Sequence, residues 1–411
     1  MSNITFRLAW RNLWRRKRRT WLTVGAMVFI NIILVFLISM QLGMYQMMIE
    51  NTLRAQTGHL QVQAPGYKDD LKMRQVVPDV ADLADTLRRK LGSDEVAARA
   101  SAFALVSSEE RSYGLMISGV EPAYEARISS LPGLVVEGRF LSDIMAEEVV
   151  VGKVLAHNLR AGVGDELTLI GSGRDGSFAA AVVTVVGVFE SGSPDIDRSF
   201  AEVPLGFFQD TFSMDDAGHS VVIMSPSLIG VGALKTRVEG LLPAGQELVV
   251  HDWDTLLPGL KQTIQADFVS AWFMYAILIV LVAFSVLNTQ LMSVLERTKE
   301  FGITLSLGVT PGRLGRLVLL ESTLMGALGL VLGMLLGGAL VLWLGTVGFT
   351  YPGLEDMAGK FNLPSRIYPQ FSAAGLLMGP VILLLASMAA SIYPALRLRW
   401  LEPVAAMRVA E

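Results

Sequence analysis

Four uninterrupted apolar stretches divide the chain. Each is longer than the about 20 helical residues that cross the hydrocarbon core of a bilayer, and none contains a charged residue. They cover residues 21–49, 268–295, 322–354 and 367–396, with Glu321 at the leading edge of the third. The pattern predicts four membrane-spanning helices, because the buried helices of a soluble core rarely give four such runs.

Basic residues are distributed unevenly among the segments that flank these runs. Seven basic residues and no acid precede the first run, and the segment between the second and third runs is also basic. The basic residues that orient the chain are Arg7, Arg11, Arg15, Arg16, Lys17, Arg18, Arg19, Arg297, Lys299, Arg313, Arg316, Arg397, Arg399 and Arg408. Since Lys and Arg are retained on the cytoplasmic side, both termini and the second loop are predicted to be cytoplasmic. The middle segment, about residues 51–267, is then extracytoplasmic.

The first residues also show a helical pattern. Phe6, Trp10, Leu13 and Lys17 fall on one face, and arginines fall on another. A basic amphipathic helix with aromatic residues lies in the headgroup region. The long apolar run that follows favours a retained signal-anchor over a cleaved signal peptide, whose apolar core is only about 7–15 residues long.

The middle segment has the mixed periodicities of an α+β domain, of one unit or of two subdomains. Short runs rich in β-branched residues, bounded by Gly, Pro, Asp and Ser, predict strands at 59–63, 148–151, 166–170, 180–189, 220–224 and 247–251. Helical patterns occur at 79–91, 153–159 and 204–212. The predicted fold class is an α-helical membrane protein with four transmembrane helices and a large α+β extracytoplasmic domain between spans 1 and 2.

The predicted organisation has nine segments. In chain order they are a cytoplasmic amphipathic entry helix (1–20), transmembrane helix 1 with a stalk (21–50), the extracytoplasmic domain (51–254), a stalk with transmembrane helix 2 (255–295), a cytoplasmic coupling loop (296–316), transmembrane helix 3 (317–345), an extracytoplasmic loop (346–370), transmembrane helix 4 (371–396) and a cytoplasmic tail (397–411).

Composition narrows the chemistry. The chain has 411 residues, no cysteine and a net charge of −4, so no Cys-based metal site or disulfide can form and nothing favours nucleic-acid binding. Its four histidines are scattered, and the Gly-rich residues 171–176 lack the Lys-Ser/Thr of a phosphate loop and predict a hairpin turn. No catalytic, cofactor or metal site is expected.

The second loop carries the most distinctive pattern. Residues 296–308 read ERTKEFGITLSLG, a short helix that breaks at Gly308, and Thr310-Pro311 then starts the next helix. Charged residues flank apolar ones at helical spacing, which suits docking in a partner's groove. A plain connector packed on the headgroups is the alternative.

Several motifs together resemble the MacB/FtsX/LolC–LolE permeases. The loop resembles their ERxxEIG…ALGA signature through Glu296, Arg297, Glu300, Gly302 and residues 306–308. Further similarities lie at residues 8–13, 138–140, 148–159, 163–165, 320–321, 326–333, 386–387, 393–395 and 401–405. The resemblance therefore covers essentially the whole chain.

This resemblance implies a type VII ABC transporter permease that works by mechanotransmission, in which a partner's ATP hydrolysis moves a helical stalk and an extracytoplasmic domain. Because the chain has no GxxxxGK[ST] loop, ATP and Mg would be bound by a separate ABC ATPase dimer. The residues expected to couple to that ATPase are Glu296, Arg297, Glu300, Phe301, Gly302, Leu305, Leu307 and Gly308, with Phe301, Leu305 and Leu307 as groove anchors.

Three family roles are compatible with the sequence. A LolC/LolE-like subunit would extract lipoproteins from the bacterial inner membrane for a periplasmic carrier, and the length without a fused ATPase fits this role. A MacB-like exporter would work with an adaptor and an outer-membrane channel. An FtsX-like regulator would activate a cell-wall hydrolase.

Small residues line the third apolar run. Gly326, Gly329, Gly333 and Gly337, followed by Gly338, allow close helix approach in lipid. They are candidate contacts with a second permease copy or a homologue. Packing within one subunit is the alternative.

Overall fold

The chain folds as two compact units. The computed structural model describes residues 2–15, 17–243, 245–350, 352 and 366–398. The first unit, here the membrane unit, comprises Met1–Met47, Thr263–Tyr351 and Arg366–Glu411, and the second, here the β-domain, comprises Met48–Gln262 and Pro352–Ser365.

Long helices form the membrane unit. In chain order they are α1 (Ser2–Arg15), α2 (Lys17–Thr52), which continues as a five-residue π-helix (Leu53–Thr57), α10 (Pro258–Glu296), α11 (Thr298–Ser306), α12 (Pro311–Val347) and α13 (Ala373–Arg397). Four of them are long and apolar enough to cross a membrane, over Thr20–Ala55, Pro258–Glu296, Pro311–Val347 and Ala373–Arg397. The four predicted spans are therefore confirmed.

The predicted entry helix is described over Ser2–Arg15 as α1, and the described part of α2 begins at Lys17. Ala9 and Leu13 are buried, whereas Phe6 and Trp10 remain exposed. Exposed aromatic rings beside arginines fit a helix at the headgroups.

Ten strands and seven helices make up the β-domain among the residues that the structure describes, apart from single-turn 3-10 segments and the ends of α2 and α10. The strands are β1 (Leu60–Gln63), β2 (Val96–Ser107), β3 (Ser112–Val120), β4 (Val135–Gly138), β5 (Glu148–Gly152), β6 (Glu166–Ser172), β7 (Phe178–Phe189), β8 (Phe200–Pro204), β9 (Ser220–Ile223) and β10 (Val249–Asp252). The helices are α3 (Val80–Leu91), α4 (Pro122–Ile128), α5 (Lys153–Leu159), α6 (Pro194–Ser199), α7 (Leu205–Thr211), α8 (Val231–Glu239) and α9 (Trp253–Leu256), followed by the first turn of α10.

One sheet contains all ten strands, so the β-domain is not two subdomains with separate sheets. Its order is β10-β1-β9-β2-β3-β8-β5-β7-β4, and β6 pairs with both β2 and β7. The pairings β2-β3-β8-β5-β7-β6 therefore return to β2 and form a closed circuit. The predicted hairpin is confirmed, because Gly171 pairs with Ala179 and the turn passes through Gly176 in a left-handed conformation.

Small apolar residues line the inside of this circuit. Ala100, Ala102 and Ala104 of β2 are buried in one cluster with valines and leucines of β3, β5, β6 and β7. Phe103 and Leu105, which alternate with these alanines, are exposed, as the two-residue period of a strand requires. The narrow interior selects alanine where an isolated strand would favour β-branched residues.

A buried group of charged residues lies among these strands. Arg99 of β2 forms an ion pair with Glu125 of α4, and the side chain of Glu125 is completely inaccessible. Glu202 of β8 is also buried, and its Oε2 has no hydrogen-bond partner. Burial, followed by the charge of Glu125, raises the pKa of Glu202 well above its ordinary value. One arginine thus faces two carboxyl groups inside the β-domain.

Candidate functional site

The basic end of the membrane unit is the end where α1, the elbow between α10 and α11, and the start of α12 meet. Its described basic residues include Arg11, Arg15, Arg297, Lys299 and Arg313. A helix break positions α11 here, because Gly308 takes a φ of 89° that favours glycine and Pro311 opens α12 after Thr310. The predicted short helix between spans two and three is therefore present.

Phe301 lies on the inward face of α11. It is 3% exposed and packs with Val294, Leu314, Val318 and neighbouring residues of α13. Leu305 packs against the same cluster, and Gly302 is buried. These contacts contradict the prediction that Phe301 and Leu305 anchor a partner's groove, since both side chains hold α11 onto its own chain.

The outward face of α11 is formed by a different set of side chains. Ile303 is 47% exposed, and Leu307, which directly follows the last residue of α11, is 79% exposed. Their spacing of four residues places them on one side. Lys299 and Glu300 lie exposed one turn earlier, as does Glu296 at the end of α10. We call Lys299, Glu300, Ile303 and Leu307 the α11 outer face. Sequence reasoning missed Ile303 and Lys299 as surface residues, although the i, i+4 spacing of Ile303 and Leu307 gave the signal.

Arg297 also points inward. Its Nη1 donates to Oε1 and Oε2 of Glu321 at 3.1 Å each, and both side chains are largely buried. Glu321 in turn accepts a 2.7 Å hydrogen bond from Asn12 of α1. Glu321, which the sequence marks only as an acid at the edge of the third span, thus joins α12 to the elbow and to the entry helix.

A second, exposed ion pair connects α1 to α11. Arg15 lies 3.0 Å from Glu300, with both side chains well exposed. Between the buried and exposed pairs lies a polar cavity of about 50 Å³, whose walls include Thr20, Thr289, Gln290 and Ser293. That volume accommodates a few water molecules.

At the opposite end of the membrane unit, uncharged polar side chains form a hydrogen-bond network around one acidic residue. Tyr45 of α2 donates to Asp267 of α10 at 2.6 Å, and Tyr275 donates to Gln41 at 2.8 Å. Gln41 also donates to Tyr45 at 2.6 Å. Helices α2 and α10 are therefore joined by hydrogen bonds at this end, whereas the basic end joins α1, α10, α11 and α12.

The glycines of α12 face helices of the same chain. A Cβ at Gly329 would lie 2.7 Å from Met27, one at Gly333 would overlap Asn31, and one at Gly337 would lie 3.1 Å from Val35. Gly326 and Gly338 instead face Leu384 and Leu376 of α13. Close packing within one subunit therefore accounts for these five glycines, and their role in a dimer interface stays a prediction that no described contact supports.

The spacing on both helices explains this contact. Met27, Asn31 and Val35 recur every four residues on α2, as the glycines do on α12, so one ridge packs against one row of small residues. The buried Asn31 Nδ2 also donates to the Gly329 carbonyl at 3.1 Å.

The motif residues of the β-domain have structural contacts. Gly138, at a φ of 76°, lies against the Val186 carbonyl, and the next residue, Arg139, pairs with Glu148. The hydrogen bond from Arg139, opposed by partial burial, lowers the pKa of Glu148. Among the residues that the structure describes, no three His, Asp or Glu side chains are grouped to hold a metal. The tail motif at 401–405, the basic residues Arg399 and Arg408, and the acids and lysine of the last loop lie outside the described residues.

A four-span membrane unit, an α+β domain inserted between its first two spans and a short helix after the second define an ABC transporter permease. Two family models match the chain: a MacB-like periplasmic core domain over residues 20–241 and an FtsX-like permease C-terminal region over residues 272–403. The chain belongs to this family of permeases. It is a membrane protein with a periplasmic-type domain, and the family works with a partner ATPase and as an oligomer.

Relatives match along most of the chain. The lipoprotein-releasing system transmembrane protein LolC of Neisseria meningitidis is 24% identical over 321 residues, which cover 74% of this chain and 75% of that protein. LolE of Haemophilus influenzae is 26% identical over 313 residues, covering 73% and 74% respectively. The crystal structure of the periplasmic region of MacB from Actinobacillus actinomycetemcomitans matches 52% of this chain and 96% of its own, at 18% identity and a TM-score of 0.37.

Proposed function

We propose that this chain is the membrane subunit of a transporter that releases lipoproteins from the inner membrane by mechanotransmission. The observation that carries the proposal is the match to LolC and LolE over about three quarters of both chains. The cargo is a lipoprotein or another lipid-like molecule, and it passes to a periplasmic carrier. The termini and α11 face the cytoplasm in this arrangement, as the distribution of basic residues favours.

ATP and Mg belong to a separate ATPase dimer in this proposal, and the α11 outer face is where that ATPase docks. Ile303 and Leu307 supply an apolar contact, while Lys299 and Glu300 flank it with charge. The polar and apolar mixture of such a face suits insertion of a short helix into a groove. Phe301, by contrast, supports the helix from behind, so its replacement would disturb packing rather than docking.

Site-specific photocrosslinking tests the docking surface. A photoreactive residue is placed at Leu307, at Ile303 and, as a matched inward control, at Leu305, and adducts are identified by mass spectrometry in native membranes. We expect an adduct that contains an ATP-binding cassette from the two outer positions and none from Leu305. Adducts with lipid alone at both outer positions would contradict the assignment of the α11 outer face.

A release assay tests the cargo. Cells depleted of the chain should retain lipoproteins in the inner membrane, and wild-type chain should restore their transfer to a carrier in the periplasm. Leu307→Asp should restore insertion but not release. Normal lipoprotein release combined with increased sensitivity to exported drugs would instead favour the MacB-like exporter, which the match to the MacB-like periplasmic core domain supports. A defect confined to cell-wall cleavage would favour the FtsX-like role.

A further inference from the structure

Arg297 is the single residue between two helices. Helix α10 ends at Glu296 and α11 begins at Thr298, and Arg297 has a φ of −103° and a ψ of 10°, outside the helical region. The peptide groups on either side remain bonded, from Arg297 N to Val294 O and from Phe301 N to Arg297 O. The direction of α11 relative to α10 is therefore set at this one residue.

The side chain of Arg297 contacts both sides of the elbow. Its guanidinium bonds both carboxylate oxygens of Glu321 on α12 and lies 3.4 Å from Glu300 in the first turn of α11. It also lies over the ring of Phe301, 4.9 Å from its centroid. One planar group thus links the end of α10, the start of α11 and the body of α12.

Glu321 is held in place from the other side. Asn12 of α1 donates to its Oε1, so the carboxylate accepts from two elements and cannot turn away without losing one of them. The polar cavity beside the pair borders Arg297, Glu300 and Glu321. Water there would lower the penalty for separating the two charges.

We propose that Arg297 and Glu321 are a positioning pair that sets the angle at which α11 presents its outer face. The inference rests on the proposed function, in which that face docks on an ATPase, and it assigns Arg297 a role different from the direct ATPase contact predicted from the sequence. Asn12 fixes the carboxylate that the arginine binds. The pair acts on the direction of a helix and contributes little to the affinity of the docking surface itself.

The chemistry of the pair suits this role. A buried ion pair contributes little net stability compared with apolar residues of similar volume, and its best-attested use is to select one arrangement among several. The guanidinium offers several donors in a rigid plane, which lets it hold Glu321 and Glu300 together. A lysine at position 297 has one ammonium group on a flexible stem and would not fix both contacts.

Spin labelling of the full-length protein in lipid nanodiscs measures the angle directly. The chain contains no cysteine, so Leu307→Cys on α11 and Leu335→Cys on α12, both exposed, place two labels without background. The labelled chain is diluted in unlabelled chain, so that distances between copies do not contribute. We expect a single narrow intramolecular distance peak for the otherwise wild-type protein. Glu321→Gln, Arg297→Gln and Arg297→Lys should each lose that peak and give a broad or split distribution.

A matched control removes a charge from α1 that contacts α11 without touching the pair. Arg15→Gln eliminates the exposed bond to Glu300 and should leave the distance peak unchanged. The double variant Arg297→Gln with Glu321→Gln should be no broader than either single variant, because each single change already abolishes the pair. Additive broadening would overturn the pairing.

Thermal unfolding of the same samples separates positioning from support. Variants that unfold at a lower temperature but keep the wild-type distance peak would show a purely structural pair and overturn the proposal. The measurement needs no ATPase, so a failure of the photocrosslinking test leaves this result interpretable by itself. Distance distributions that superimpose for Glu321→Gln and wild type would reject the positioning pair outright.

Discussion

Two of the buried Arg–Glu pairs lie in different kinds of surroundings in this protein. Arg99 and Glu125 lie among the strands of the β-domain, with a second buried carboxyl group, Glu202, and their side chains are almost completely inaccessible to solvent. Arg297 and Glu321 lie at a helix elbow, next to Asn12 and a polar cavity. An ion pair that is enclosed on every side suits a role in holding the packing of a core. A partly hydrated ion pair suits a role in setting the direction of a helix.

Removal of Arg99 should have the largest effect on stability. Arg99→Leu leaves Glu125 and Glu202 buried without their cation, which is expected to reduce the free energy of unfolding by about 3–5 kcal/mol. Thermal unfolding of the full-length protein in detergent measures the change. Arg160→Leu is the matched control, because its pair with Glu110 is exposed on both sides. Equal losses in both variants would mean that the enclosed cluster does not carry this stability.

A methyl group at Gly333 should have the next largest effect. Gly333→Ala would overlap Asn31 on α2 and is expected to reduce stability by about 1–3 kcal/mol. Gly312→Ala, on the same helix with open space at its Cβ, serves as the control and should be neutral or slightly stabilising. If Gly333→Ala is as stable as Gly312→Ala, close packing of α2 against the glycines of α12 would not explain how these two helices stay together.

The effect of Glu202→Gln should depend on pH. Because the pKa of Glu202 is raised in the folded β-domain, the folded state favours the neutral carboxyl group, while the unfolded chain ionises above about pH 4.3. Its contribution is fully present below that pH and declines as the pH rises towards the folded pKa. Glutamine removes this decline, so the unfolding temperature of the variant should rise relative to that of wild type as the pH increases above about 4.3. A constant difference over that range would show that Glu202 stays ionised.

The smallest change is expected at the exposed pair. Arg15→Gln should alter the free energy of unfolding by less than about 1 kcal/mol, since exposed ion pairs contribute little and are screened by salt. Unfolding temperatures at low and high salt provide the measurement. A loss of unfolding free energy as large as that of Glu321→Gln would mean that Arg15 acts together with the positioning pair. The contrast between buried and exposed ion pairs would then be weaker.

Sequence patterns predicted the spans, the α+β class and most strands with β-branched residues, such as β5 and β7. They missed β2, β3, β4 and β8. Strand β2 reads VAARASAFALVS and is rich in alanine, which has low strand propensity, and β3 contains Gly114 and Gly119. The narrow interior of the closed strand circuit explains the alanines of β2 and Gly119, and no local pattern reveals that circuit. Gly114 lies on the outer face, against the exposed ring of Phe103.

The candidate site was predicted at the level of the helix but not of its faces. The motif placed α11 correctly, yet Phe301 was assigned to the surface because apolar residues near charges looked like docking anchors. Its inward direction depends on Leu314 and Val318 of α12 and on residues of α13. These partners are distant in sequence, as Asn12 is from Glu321, so one-dimensional periodicity cannot choose between the two faces.

The elbow at Arg297 has a mechanical consequence. A linker of several residues would allow α11 many orientations relative to α10. A junction of one residue has only two soft torsion angles. The direction of α11 relative to the last turn of α10 therefore changes only through rotation about these two bonds at the Cα of Arg297. A push on the outer face would act about that point, and Leu307, which directly follows α11, lies farthest from it along the chain.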